Sequence, residues 1–120
     1  MKLTHITLRG EQHPLCYNLL AVEELCEEFG SLDAMNEAIN SESQGEQISA
    51  IGKVLRCLMD GGRAYCKEME IDLPKPVRNP SALIDITSPE TVRAIFASIG
   101  DGKKSEVEVI SKNAETTQGD

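Results

Sequence analysis

Residues 18–40 read NLLAVEELCEEFGSLDAMNEAIN, and the reading of this stretch decides the fold. Val22, Leu25, Cys26 and Phe29 recur at i, i+3, i+4 and i+7, which lays one apolar stripe along a helix. Asn18 has the short acceptor side chain that caps a helix start, and Gly30 suits the left-handed residue that ends one. Ser31 then caps a second helix through Leu32, Met35 and Ile39, so the chain turns sharply between two short helices. From Glu23 to Glu46 there are eight acids and no Lys or Arg, which gives the outward faces of both helices one sign. Glu23, Glu24, Glu27 and Glu28 crowd the first of them. They read as a solvated face suited to a basic or apolar protein partner.

Toward the N-terminus, residues 2–8 alternate loosely with Ile6 and Leu8 on one face, and residues 12–17 repeat the pattern with Leu15 and Tyr17 inward. Arg9-Gly10-Glu11 supplies the glycine a tight turn needs, so the expectation is a β-hairpin. A lone hairpin is marginal in water and must lean on the helices.

Toward the C-terminus, residues 41–45 are a polar loop, and a longer helix starts near Glu46. Ile48, Ile51, Leu55, Leu58, Met59, Gly62, Cys66 and Met69 keep helical spacing along it. Each of Gly61 and Gly62 inside this helix costs about 1 kcal/mol relative to Ala. Either another helix approaches closely there or the helix bends, and a kink is the expected outcome. Residues 73–80 contain Pro74, Pro76 and Pro80 and read as an extended connector. A short helical turn over Pro80 to Ile84 follows, then a last helix capped by Ser88 with Pro89 in its first position. Its stripe is Val92, Ile95, Phe96 and Ile99, and it stops at Gly100.

The fold class is therefore mainly α with a small N-terminal β-hairpin (α+β). Residues 1–100 form the helical domain and 101–120 a flexible acidic and polar tail, in which Val107, Val109 and Ile110 are the sizeable apolar residues and a brief strand is conceivable. The chain is long enough for one hydrophobic core. With no Trp and only Tyr17, Phe29, Tyr65 and Phe96 as aromatics, that core is aliphatic and Met-bearing.

Charge and composition exclude several classes. A net charge of −8 opposes binding to a phosphate backbone, since each phosphate contact starts with repulsion. No run of eighteen apolar residues exists and the N-terminus lacks a signal-peptide centre, so no membrane partner is expected and the chain is read as cytosolic. Cys16, Cys26, Cys57 and Cys66 read as small reduced core residues. Cys57 and Cys66, nine apart on one helix, fall on different faces and cannot pair. His5 and His13 on the hairpin, with Cys16, make at most half a zinc site; surface polarity is the plainer reading, and no cofactor or metal is expected. No cationic pocket marks a thiolate, Gly61-Gly62-Arg63 follows no strand, and the helix-borne acids lack a calcium-loop pattern. The chain is not expected to be an enzyme.

The order of these parts resembles the tail assembly chaperones of long-tailed bacteriophages and prophages. The resemblance rests on a Leu-x-Ala-hydrophobic-Glu-Glu-hydrophobic-x-Glu-x-Phe-Gly-Ser core, met from Leu19 to Leu32, and on a Leu-rich helix ending in glycine, met from Leu55 to Gly62. It covers residues 2–100. The Pro-rich connector departs from the plain acidic helix that members carry there. The resemblance implies a small helical, non-enzymatic protein that coats the aggregation-prone tape measure protein, recruits tail tube protein, self-associates, and works in the host bacterial cytoplasm while being absent from the mature virion. A frameshifted longer product is common in the family, and Gly102-Lys103-Lys104 is where slippery codons would fall. Met35, Met59 and Met69, placed on stripes, are candidates to line a client groove, with core filling as the plainer role of each. An acidic inhibitor or regulator of a basic protein is the alternative expectation.

Overall fold

The computed structural model describes residues 3–100 apart from 86 and 91. The flexible tail expected over residues 101–120 lies outside them. Two antiparallel strands, β1 (Thr4–Leu8) and β2 (Glu11–Leu15), lead into three helices, α1 (Leu19–Phe29), α2 (Leu32–Ile39) and α3 (Gln44–Glu68). A 3-10 turn, η1 (Pro80–Leu83), and a helical stretch over residues 92–100 complete the fold. The architecture is the expected one, mainly helical with an N-terminal hairpin.

The local signals explain most boundaries. Arg9 and Gly10 both take positive φ, 54° and 74°, the two-residue turn whose twist matches a hairpin. The Asn18 side chain accepts from the Ala21 N–H at 3.0 Å, and the Ser31 hydroxyl accepts from the Ala34 N–H at 3.0 Å, capping α1 and α2. Gly30, at φ 89°, closes α1 with its N–H on the Cys26 carbonyl. Ser43 caps α3, so the helix begins two residues ahead of the expected Glu46. Its C-terminus ends in a Schellman pair: the Glu70 N–H donates to the Lys67 carbonyl and the Ile71 N–H to that of Cys66. Glu70 holds the left-handed position there at φ 57°, where glycine is usual.

Helix α3 is the spine against which everything packs. Its buried residues include Ala50, Val54, Leu55, Cys57, Leu58, Met59, Gly61, Gly62 and Cys66, a wider face than one stripe. Burial on several sides follows from its neighbours: β2, α1 and α2 all contact it. Ile6, Leu8 and Leu15 from the hairpin, Ala21 and Leu25 from α1, Met35 and Ile39 from α2, and Ile95 and Ile99 from the last stretch fill the core around it. In that last stretch Phe96 is outward and Ser98 inward, a rotation from the expected stripe.

Gly61 and Gly62 do not mark a break, because α3 is helical from Gln44 to Glu68 without interruption. A second helix does approach closely: a Cβ on Gly61 would stand 3.0 Å from the Ala21 methyl group, in the first turn of α1. The end of β2 is the other close neighbour: a Cβ on Gly62 would collide with the Pro14 carbonyl oxygen, and one on Gly61 would stand 2.7 Å from that of Cys16. The bare helix surface lets backbone meet backbone. The Cys16 N–H donates to the Leu58 carbonyl at 3.1 Å, and the Asn18 amide donates to the Gly61 carbonyl at 2.9 Å.

Candidate functional site

The residues singled out from sequence fall in three different places. Met35 is fully buried and Met59 nearly so, at 0 % and 5 % exposure, whereas Met69 caps the end of α3 at 57 %. They do not line one groove: the first two fill the core, and the third stands beyond the last helical turn. Glu23, Glu27 and Glu28 are exposed on α1, as an outward acidic face requires. Glu24 is not simply solvated. It is half-buried and turned toward Asp60 on α3, and burial together with the Asp60, Glu27 and Glu28 carboxylates pushes its pKa up to about 7. Glu24 thus takes up a proton near neutrality beside Asp60. A shallow concavity bounded by Glu24, Glu27, Glu28, Lys53, Arg56, Cys57 and Asp60 opens beside them.

His5 and His13 do not face each other. His5 pairs with Pro14 and is exposed, while Ile6 pairs with His13, whose ring is fully buried. A one-residue offset puts the two on opposite faces of the hairpin, and His13 is a core residue, not surface polarity. Neither of its ring nitrogens has a hydrogen-bond partner. Burial lowers its pKa, with Glu11 opposing and Arg63 and Arg9 reinforcing the shift, and a Leu8 carbonyl short of good hydrogen-bond geometry opposing it weakly. Among the described residues no group of three His, Cys, Asp or Glu is placed to hold a metal ion. Cys16, Cys57 and Cys66 are buried thiols and Cys26 is half-buried. Burial, with the Glu24, Glu28 and Asp60 charges, pushes Cys57 up to about 12, and burial also raises Cys16 and Cys66. Such thiols are poor nucleophiles at neutral pH. No helix among the described residues is long and apolar enough to cross a membrane.

Two surface features were not anticipated. The first is an apolar groove of about 280 Å³ between α3, η1 and residues 92–95, lined by Ile48, Ile51, Leu55, Ile84, Val92 and Ile95. Ile48 at its edge is 50 % exposed, and Leu83 and Phe96 are exposed nearby in the chain. The other is a basic groove of about 450 Å³ between α3 and the connector, with Arg56, Arg63, Lys67 and Arg78 around Met59, Val77 and Pro80. Arginines also hold the connector in place: Arg63 donates to the Pro74 carbonyl and Arg9 to the Lys75 carbonyl, both at 3.1 Å, and Arg56 reaches the Ser81 hydroxyl at 3.5 Å. Lys67 and Arg78 pair with no carboxylate among the described residues. A signal for this groove was present in the sequence, since Arg56, Arg63 and Lys67 are spaced seven and four apart and share one helix face. It was hidden by the acidic total.

None of the known protein families, curated proteins or solved structures matches this chain.

Proposed function

We propose that the chain is a phage tail assembly chaperone that covers the apolar stripe of a tape measure protein in the cytoplasm of a bacterial host, brings tail tube protein to it, and leaves before the virion is complete. The observation that carries this reading is the apolar groove bounded by Ile48, Ile51, Leu55, Ile84, Val92 and Ile95. Its half-exposed rim and aliphatic lining suit the edge of an amphipathic client helix, whose i, i+4 and i+7 side chains would seat along α3. The Leu19–Leu32 and Leu55–Gly62 motifs support the same reading, since their residues build the α1–α3 scaffold behind that groove. In this reading the protein works by shielding apolar surface and carries no reactive centre.

Co-expression with a helical tape measure segment tests it. The segment is expected to stay soluble in a stoichiometric complex, and Ile48→Asp is expected to return it to the pellet. A segment that precipitates beside excess protein ends the proposal. A second reading, an acidic regulator of a basic protein, is favoured by the carboxylates of Glu23, Glu24, Glu27 and Glu28 on one helix; a complex with a basic enzyme that survives Ile48→Asp would support it.

A further inference from the structure

The charges of this protein are sorted into two adjoining fields. On one side of the Arg56–Asp60 turn of α3 lie Glu24, Glu27 and Glu28 with Lys53 among them, and on the other lie Arg63, Lys67 and Arg78. Arg56 and Asp60 border both. Neither field neutralises the other within the chain, because Lys67 and Arg78 have no carboxylate partner among the described residues and Glu24 is crowded by acids enough to hold a proton. Four of the twelve Lys and Arg side chains converge on one groove of a chain that carries twenty acids. The connector that forms its outer wall is itself fastened by arginine hydrogen bonds, so the groove is a built part of the fold.

We infer that the basic groove of α3 and the connector binds the acidic α1 face of a second copy of this chain, forming a two-fold dimer about the Arg56–Asp60 turn. Three facts choose this occupant. The signs are complementary. The acidic run also fits within the row: Glu23 to Glu28 spans about 8 Å of α1, and the cations from Arg56 to Lys67 span about 16 Å of α3. Finally, opposite fields on either side of a shared turn meet their complements twice when one copy is rotated by a half-turn onto the other, as an isologous interface requires. The floor residues Met59, Val77 and Pro80 supply apolar contact beneath the ion pairs and exclude water from them.

The full chain is tested by sedimentation equilibrium at about 50 mM and about 500 mM salt, where screening shrinks the reach of exposed charges to a few ångströms. A dimer is expected at low salt, with a dissociation constant at least about tenfold higher at high salt. Reversing the exposed groove cations (Lys67→Glu with Arg78→Glu) or the exposed face acids (Glu27→Lys with Glu28→Lys) is expected to leave monomers. Circular dichroism confirms that each variant stays helical, which is expected because all four side chains are exposed. An equimolar mixture of the two variants is expected to restore a dimer, since each reversed surface then meets its complement in both halves of the contact. A monomer under every condition, a dimer indifferent to both reversals, or a mixture that fails to associate would overturn the inference. Open-ended assembly in place of a closed dimer would overturn the two-fold arrangement, and capture of an acidic peptide by a strictly monomeric chain would assign the groove to a different partner.

Discussion

Against β2, helix α3 presents Gly61 and Gly62 and meets the strand end backbone to backbone; toward η1 the same helix presents Ile48, Ile51 and Leu55 around an open groove. The two regions differ in what they allow. At the glycine seam the Cys16 N–H and the Asn18 amide bond directly to α3 carbonyls, so an added methyl group has nowhere to go. At the groove, branched side chains hold neighbouring segments apart and leave aliphatic surface uncovered. One helix thus serves as an anchor on one side and as a docking surface on the other. The difference lies in side-chain size and cover, not in helix propensity.

A carboxylate placed in each region separates them most sharply. Leu25, at 0 % exposure, packs in the core on the anchored side, and Leu25→Asp buries an unpaired charge at a cost of several kcal/mol. The variant is expected to lose cooperative unfolding altogether. An unchanged melting temperature would show that α1 is not anchored.

Gly62→Ala comes next. In an open helix interior this change gains about 1 kcal/mol; here the new methyl would collide with Pro14, and a loss of about 3 kcal/mol is expected from overpacking. Gly52→Ala is the matched control, because its Cβ would stand 3.6 Å from the Ser81 hydroxyl, an ordinary contact. It is expected to gain up to about 1 kcal/mol. Urea midpoints at constant slope measure both, and equal effects would erase the distinction between seam and groove.

Two titrations belong to the anchored side, and their signs differ. His13 has a folded pKa below 6.5, so its neutral ring leaves stability intact above that value, and stability falls as pH drops through 6.5 until the folded pKa is reached. Glu24 has a folded pKa of about 7 against 4.5, so its contribution is complete below 4.5 and is lost as pH rises through 7. Below 6.5 the two oppose each other, whereas between 6.5 and 7 the Glu24 contribution alone falls as pH rises. His13→Leu is expected to flatten the acid limb and Glu24→Gln the neutral limb of a melting-temperature profile. A profile unmoved by either variant would mean that neither group is held as described.

The smallest effect on folding is expected at the groove. Ile48 is half-exposed, so Ile48→Asp is expected to shift stability by no more than about 0.5 kcal/mol. Unfolding at the level of Leu25→Asp would show that the groove wall is core.

Much of the framework could be read directly from residues near one another in the chain. Asn18, Gly30 and Ser31 cap and stop helices through contacts within four positions, and Arg9-Gly10 turns the hairpin locally. The spacing of Leu25, Met35 and Leu58 announced the core for the same reason. The hairpin faces were legible through Ile6, Leu8, Leu15 and Tyr17, all of which turn toward the core, but His13 shares the Leu15 face and went inside where its polarity had suggested the surface. The candidate sites were least legible. Met35, Met59 and Met69 share a chemistry but not a location, and nothing in their spacing said which would be covered by a strand or a second helix.

By itself, then, the sequence determined the helices, their caps, the hairpin and the sign of the α1 face, all of which depend on dihedral preferences and side chains a few residues apart. Tertiary structure decided that Glu24 meets Asp60, that Gly61 and Gly62 receive the end of β2 and the start of α1 and not a kink, and that four scattered cations surround one groove. Those outcomes depend on which faces meet across tens of residues, where packing and desolvation act between segments that the local pattern leaves independent.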